Sequence, residues 1–215
     1  MNEHQQMLRE IAADVCRLAD ELGKPSLDSQ TMAAMAEVPR HEFVPAERRG
    51  LAYINHALPL AQGQTISQPF IVALMTDLLA VGAADTVLEI GTGSGYQAAV
   101  LAELVKQVYS VEFIAELGEQ ALAKLRSLGY DNIEVRIGDG NKGWPEHAPY
   151  DGVIVTAAAE HIPQALIEQL KPGGRLVIPI GAPYETQWLT VVEKNEAGAT
   201  RERRLLPVAF VPLVS

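Results

Sequence analysis

A glycine-rich segment that begins with an acidic residue is the part of the sequence best suited to holding a ligand. Residues 89–95 read E-I-G-T-G-S-G, between an apolar stretch that predicts a strand and a pattern that predicts a helix. Glycine turns in this position let a ligand approach the backbone closely. The dinucleotide fingerprint G-x-G-x-x-G fails from Gly91, because Tyr96 stands at its end, but counted from Gly93 it ends at Ala98, an allowed variant. A nicotinamide cofactor is therefore disfavoured but not excluded.

The spacing E-x-G-x-G-x-G resembles motif I of the class I methyltransferases that use S-adenosylmethionine (SAM). SAM carries a sulfonium and a free amino group and has no phosphate. A carboxylate such as Glu89 can attract this positive charge by hydrogen bonding, directly or through water, whereas it would repel a pyrophosphate. The resemblance implies SAM as the cofactor and S-adenosylhomocysteine as its product.

Acidic residues also follow the next two predicted strands. Glu112 ends the second strand, about twenty residues after the turn, where a carboxylate can accept hydrogen bonds from ribose hydroxyls. Asp139 follows the third strand, and an aspartate at this place in methyltransferases commonly meets the adenine amino group. We therefore predict that the cofactor is held by Glu89, Gly91, Thr92, Gly93, Ser94, Gly95, Glu112, Asp139 and Gly140.

The pattern of apolar residues after position 85 predicts an α/β fold. Strands are expected at 86–91, 107–112, 132–137, 151–156 and 174–180, and helices at 95–105, 114–128 and 163–170. Such alternation is typical of βαβ units in a parallel sheet that is covered on both faces. Strands at 187–194 and 204–212 flank a polar turn at 195–198. We predict a doubly wound, Rossmann-like sheet that is mostly parallel and ends in an antiparallel hairpin.

The first eighty residues lack this alternation. Helices are expected at 5–22, 29–38 and 71–81, and residues 51–69 are rich in Pro, Gly, Gln and Asn without a clear period. This segment is small for an independent fold. We predict a helical and loop cover at 1–80 over a methyltransferase core at 81–215, in one compact unit.

Composition narrows the class of protein. The chain has 215 residues and a formal net charge of −10, which disfavours nucleic-acid binding. Cys16 is the one cysteine and lies in an apolar helical stretch, so we expect it to fill the core. The N-terminus lacks an apolar signal region, and no apolar run approaches the ~20 residues of a membrane span. We predict a cytoplasmic protein with no membrane partner.

Several different short motifs are distributed along nearly the whole chain. They are VPRHEFVP at 38–45, ALP at 57–59, GQTISQP at 63–69, GDG at 138–140, GWP at 143–145, YD at 150–151, TAAA at 156–159 and FVPL at 210–213. Together they resemble the protein-L-isoaspartate O-methyltransferase family, for which the T-I-S-x-P block before a glycine-turn core is specific.

This resemblance implies a repair enzyme. It would transfer a methyl group from SAM to the free α-carboxylate of an L-isoaspartyl residue in a damaged protein or peptide. The ester then collapses to a succinimide, which can reopen to normal aspartate. The implied partners are isoaspartyl peptides and damaged proteins, with no nucleic acid and no metal.

Ser67 matches the serine treated as the active-site residue of that family. A carboxylate is already an anionic nucleophile at pH 7 and needs no general base. We interpret the Ser67 hydroxyl as a donor that orients the substrate carboxylate, while a role as N-cap of the helix starting near Pro69 stays open. The small alanines after the fourth core strand leave room for a substrate backbone. The predicted substrate contacts are Thr65, Ile66, Gln68, Pro69, Ala157 and Ala158.

Two other functions stay open. One is a SAM-dependent methyltransferase of a small molecule or an rRNA base, although the net charge and the alanine run disfavour RNA. The other is a non-catalytic SAM-binding protein, which the intact Ser67 and glycine turn disfavour. We interpret His41 and His56 as structural rather than catalytic, and Phe70 is a candidate wall of the peptide groove.

Overall fold

The computed structural model describes residues 2–60, 62–182 and 185–214. The helices are α1 (Glu3–Arg17), α2 (Ala19–Leu22), α3 (Ser29–Glu37), α4 (Pro69–Leu79), α5 (Tyr96–Ala102), α6 (Ala115–Ser127) and α7 (Gln164–Glu168). The strands are β1 (Leu58–Pro59), β2 (Thr65–Ile66), β3 (Thr86–Ile90), β4 (Gln107–Glu112), β5 (Ile133–Ile137), β6 (Tyr150–Val155), β7 (Leu170–Ile180), β8 (Gln187–Lys194) and β9 (Thr200–Val208). Short 3-10 helices occur at Arg40–Phe43, Ala46–Leu51, Gly140–Lys142 and Pro145–His147.

The seven longer strands form one sheet in the order β5-β4-β3-β6-β7-β8-β9. Strands β3 to β7 pair in parallel, and β8 and β9 continue the sheet in antiparallel pairs. The predicted doubly wound sheet with an antiparallel C-terminal hairpin is confirmed. The chain runs outward from β3 to β5 and then returns to β6 on the other side of β3. Sheets of this kind bind ligands at that switch point, outside the carboxyl ends of the strands.

Both faces of the sheet are buried, which explains the near-continuous apolar strands. Val87 and Ile154 pack into one core with side chains of α1, α3, α4 and α5. Their neighbours Leu88 and Val153 point to the opposite face and join a second core that includes Leu166 of α7. The carboxyl ends of the central strands are therefore held rigidly from both sides.

Helix α1 packs through one narrow stripe. Met7, Ile11 and Val15 are buried and recur every four residues along one face. Cys16 is exposed, so its expected place in the core is wrong. One residue further along a helix lies about 100° further round it, which turns Cys16 away from the stripe.

Side chains of α1, α4 and β3 share one buried core, and the division of the chain at residue 80 stays a prediction.

Several elements differ in their bounds from the sequence prediction. The helix expected at 5–22 is split between α1 and α2 and ends at Gly23, whose φ is 70°. The segment 51–69 contains the small hairpin β1–β2, which is too short to show a period. Strand β7 begins at Leu170 rather than 174, and β9 spans Thr200–Val208 rather than 204–212. The first residues of β9 are charged and exposed on a sheet edge, where charge blocks unwanted pairing, so they lack the apolar pattern that predicts a strand.

Candidate active site

The glycine-rich turn joins β3 to α5 at the switch point of the sheet. Gly91 has a φ of 94°, which residues with a Cβ atom rarely adopt. A Cβ atom on Gly91 would lie 2.5 Å from Oγ1 of Thr156, and that hydroxyl donates to the Gly91 carbonyl at 2.7 Å. The turn is therefore packed closely against the end of β6.

A cavity opens above the carboxyl ends of β3, β4 and β6. Its wall includes the predicted cofactor residues Gly91, Thr92, Gly93, Ser94, Glu112 and Gly140 and, from the predicted substrate side, Thr65, Ile66, Ser67 and Ala157. The N-terminal loop and the glycine turn thus meet at one place although they are distant in sequence. This proximity is what a transfer reaction between two bound molecules requires.

Three predicted cofactor residues lie outside the cavity wall. Gly95 is buried, and a Cβ atom there would lie 3.2 Å from Cγ of Leu125, so it permits packing of the turn against α6. Asp139 accepts hydrogen bonds from the backbone N–H and the side-chain amide of Asn141, at 3.0 and 3.1 Å. Glu89 is fully buried in β3. Their contact with SAM stays a prediction.

Three predicted substrate residues also lie outside this wall. Gln68 lines a neighbouring groove that shares Ser67 with the cavity. Pro69 is buried as the first residue of α4. The backbone N–H of Ala158 donates to the carbonyl of Val211 at 2.8 Å, so this alanine holds the C-terminal segment in place.

Several residues of the cavity wall had no role predicted from sequence. Residues 211–214 form one side of it, and Phe113, which follows β4, forms another with 45% of its surface exposed. Phe70 is buried in the core, so its expected place in the groove wall is wrong. His41 Nδ1 lies 2.7 Å from the Tyr53 hydroxyl, and His56 lines the groove beside Ser67.

Glu112 holds the glycine turn in shape. Its Oε2 atom accepts from the backbone N–H of Gly93 at 2.8 Å, and its Oε1 atom accepts from that of Ile114 at 2.9 Å. An ionised carboxylate has about four lone-pair positions, so two remain for a ligand hydroxyl. Glu112 lines the cavity, which fits the predicted contact with ribose.

Glu89 lies in β3, immediately before the glycine turn. Its Oε2 atom accepts a hydrogen bond from Ser110, whose hydroxyl lies 2.6 Å from that of Thr92 in the turn. Its Oε1 atom has no hydrogen-bond partner among the described residues. Burial raises the pKa of Glu89 to about 8, and the Ser110 hydrogen bond only partly opposes this shift. An unpartnered acidic oxygen in this place fits a ligand that carries an amino group.

Ser67 has no part in capping α4. The N-cap residue is Gln68, which makes no side-chain capping bond, and Oδ1 of Asn55 accepts from the backbone N–H of Phe70 at 3.0 Å. The capping alternative for Ser67 is therefore wrong. Across the described parts of the chain, the Ser67 hydroxyl has no hydrogen-bond partner, while its carbonyl accepts from Arg40 at 2.7 Å.

Comparisons with known proteins agree with this geometry. The family model for protein-L-isoaspartate(D-aspartate) O-methyltransferase matches residues 17–215. A protein-L-isoaspartate O-methyltransferase 2 from Syntrophobacter fumaroxidans is 61% identical over 96% of this chain and 84% of its own length. A relative of the same name from a Polaromonas species is 59% identical, over 96% of this chain and 98% of its own.

The chain belongs to this family. A solved protein-L-isoaspartate O-methyltransferase superposes with a TM-score of 0.84 at 26% identity, over 99% of this chain and 66% of that one. A second, from Plasmodium falciparum, superposes with a TM-score of 0.79 at 23% identity over 100% of this chain and 99% of that one, and supports the fold. The class I methyltransferase architecture expected from the sequence is confirmed.

Replacing Glu112 should weaken cofactor binding. In Glu112→Ala the ribose would lose its acceptor and the Gly93 N–H its partner, so SAM affinity should fall by about 1.5–3 kcal/mol, the scale for hydrogen bonds to a charged group. Calorimetry with SAM measures this change, and Glu119→Ala, at an exposed position of α6, is the matched control. If SAM affinity is the same in both variants, Glu112 does not hold the cofactor.

The raised pKa of Glu89 should make stability depend on pH. Between its ordinary value of 4.5 and about 8, the folded protein keeps a proton that the unfolded chain has lost, so the free energy of unfolding falls as pH rises through this range. Glu89→Gln removes that titration. Urea unfolding without SAM should show the variant gaining stability over the wild type from about pH 5 to about pH 8. Parallel pH curves for the two proteins would rule out a buried neutral Glu89.

Proposed function

We propose that this chain transfers a methyl group from SAM to the α-carboxylate of L-isoaspartyl residues in damaged proteins. Membership of the family supports this activity. The observation that carries the proposal is the position of Ser67, whose loop and the glycine turn form walls of the same cavity. The residue expected to meet the substrate therefore borders the space expected to hold the cofactor.

The residues of the turn fit SAM. The backbone at Gly91 and Gly93 borders the cavity, Glu112 offers free lone pairs to hydroxyls, and Glu89 offers an unpartnered oxygen near the turn. When bound, SAM supplies an electrophilic methyl group on a sulfonium. The structural relative from Plasmodium falciparum is in complex with S-adenosyl-L-homocysteine, the product that such a transfer leaves.

Ser67 orients the substrate in this proposal. Its hydroxyl is half-buried and makes no bond to the described residues, so it is available as a donor. One donor can fix a lone-pair direction of the carboxylate while the other oxygen stays reactive. A carboxylate is ionised at pH 7, so the reaction needs no base to remove a proton.

Apolar side chains keep water from the reacting groups. Ile66, Ile90, Val211 and Leu213 line the cavity around the open side of the turn. A carboxylate that loses part of its water shell in such a site is a stronger nucleophile than in solution. Positioning and desolvation together account for the chemistry that this site can perform.

Damaged proteins and isoaspartyl peptides are the partners we propose, in the cytoplasm. The net charge of −10 and the single cysteine support a protein that binds no nucleic acid and works in a reducing compartment. Within the described ranges, no helix is long and apolar enough to span a membrane.

The test is transfer of label from tritiated SAM to an isoaspartyl peptide. A methyl ester is labile to base, so label that is released as methanol at high pH identifies a carboxylate acceptor. Stable label would indicate methylation of nitrogen or carbon, as in rRNA. SAM binding with no transfer to any acceptor would indicate a non-catalytic protein.

A further inference from the structure

Arg40 is a charged side chain in the interior of the N-terminal cover. It begins the 3-10 helix Arg40–Phe43 and is fully buried. Its Nε atom donates to the carbonyl of Ala52 at 2.8 Å, and its Nη2 atom donates to the carbonyl of Ser67 at 2.7 Å. Its guanidinium lies over the ring of Tyr96, 4.7 Å from the centroid.

Burying a charged side chain has a free-energy cost that an apolar side chain in the same place would not have. Burial lowers the pKa of the Arg40 guanidinium below its ordinary value, which reports the loss of water around the charge. Among the described residues, no carboxylate forms an ion pair with Arg40, and its Nη1 atom has no hydrogen-bond partner. A buried charge without a counter-charge costs several kcal/mol, and an apolar side chain of similar volume is often as stable or more stable. Core packing alone therefore does not explain an arginine here.

The contacts of Arg40 connect the two sides of the cavity. Ser67 belongs to the loop before α4, and Tyr96 is the first residue of α5, directly after the glycine turn. Both residues also line the cavity. The planar guanidinium binds a carbonyl of one side with its edge and covers an aromatic ring of the other with its face, a combination that lysine cannot reproduce.

We propose that Arg40 is a positioning residue for methyl transfer, which sets the place of Ser67 relative to the glycine turn. This inference rests on the proposed function. The Ser67 hydroxyl has no hydrogen-bond partner in the described structure, so its place depends on the backbone that Arg40 holds. A displacement of about 1 Å at a reacting group can cost about 100-fold in rate.

The test compares Arg40→Met and Arg40→Lys with the wild type. Methionine removes the cost of the buried charge, which offsets the loss of both hydrogen bonds, so the melting temperature should change little while kcat for an isoaspartyl peptide falls ~10–100-fold. Lysine can donate to one of the two carbonyls, so its kcat should lie between those of wild type and Arg40→Met. Affinity for SAM, measured by calorimetry, should change by less than about threefold, because neither hydrogen bond of Arg40 reaches the glycine turn. Arg49→Met, at an exposed arginine of the same cover, is the matched control.

A mutant cycle with Ser67→Ala tests whether Arg40 acts through Ser67. In the Ser67→Ala background, Arg40→Met should lower kcat by less than about threefold, since two residues that act as a unit are not additive. Equal losses in both backgrounds, or a folded Arg40→Met with wild-type kcat, would overturn the proposal.

Hydrogen exchange gives a readout that does not need turnover. Amides of residues 62–70 should exchange faster in Arg40→Met, and those of the sheet should not. Unchanged exchange at 62–70 would overturn the proposal. Wild-type protein that methylates no isoaspartyl peptide, together with faster exchange at 62–70 in the variant, would refute the proposed function while leaving Arg40 as the anchor of this loop.

Discussion

An isoaspartyl peptide should be methylated at least ~100-fold more efficiently, in kcat/KM, than its aspartyl twin. In the isoaspartyl linkage the free carboxylate is bonded directly to Cα, whereas the aspartyl carboxylate lies one methylene further out. That difference moves the acceptor by about 1.5 Å, one C–C bond length. The Ser67 loop is held by Arg40 and borders a cavity with rigid strand ends opposite, so the site has little freedom to follow the shifted group.

The measurement uses two peptides of identical composition at matched concentrations, with tritiated SAM and quantified base-labile label. A third peptide, with asparagine at the same position, controls for methylation at other carboxylates. Similar kcat/KM values for the isoaspartyl and aspartyl peptides would refute selective repair and favour a general carboxyl methyltransferase.

The sheet could be predicted because its strands are buried on both faces. Val87 and Leu88 pack into opposite cores, so the strand is apolar at successive positions and stands out from the helices around it. Elements that lack this continuous apolar pattern were missed or were given wrong bounds. The hairpin β1–β2 has two residues in each strand, and the charged start of β9 lies on a sheet edge. Cys16 shows the same limit, since one step along a helix separates a core position from an exposed one.

The site could be predicted in part, because some of its chemistry is local in sequence. The turn needs positive φ angles at Gly91, Gly93 and Gly95, and the three glycines that supply them are visible in the sequence. Glu112 follows the turn at the spacing of one βαβ unit. The C-terminal segment reaches the cavity through contacts between distant parts of the chain, such as the pairing of Val211 and Leu213 with Ala158. The role of Arg40 is also invisible in sequence, because its partners are two backbone carbonyls and an aromatic face.

Ser67→Ala should lower kcat by ~10–1000-fold, the range for loss of a positioning or charge-stabilising contact. The hydroxyl lies at the cavity wall and is not used by the described residues, so its removal takes a donor from the substrate and nothing from the fold. Since Gln68 and not Ser67 is the N-cap of α4, the free energy of unfolding should change by no more than about 0.5 kcal/mol. Affinity for SAM should also be unchanged, because Ser67 lies outside the glycine turn.

The experiment measures kcat, SAM affinity and melting temperature on one preparation, so that a loss of folded protein cannot be mistaken for a loss of chemistry. Ser127→Ala removes a hydroxyl whose hydrogen bond is local to the end of α6, and it should leave all three quantities at wild-type values. A fall in SAM affinity in Ser67→Ala would place the hydroxyl on the cofactor instead of the substrate. Near-normal kcat would show that backbone and apolar wall alone orient the carboxylate, and the catalytic assignment of Ser67 would then be withdrawn.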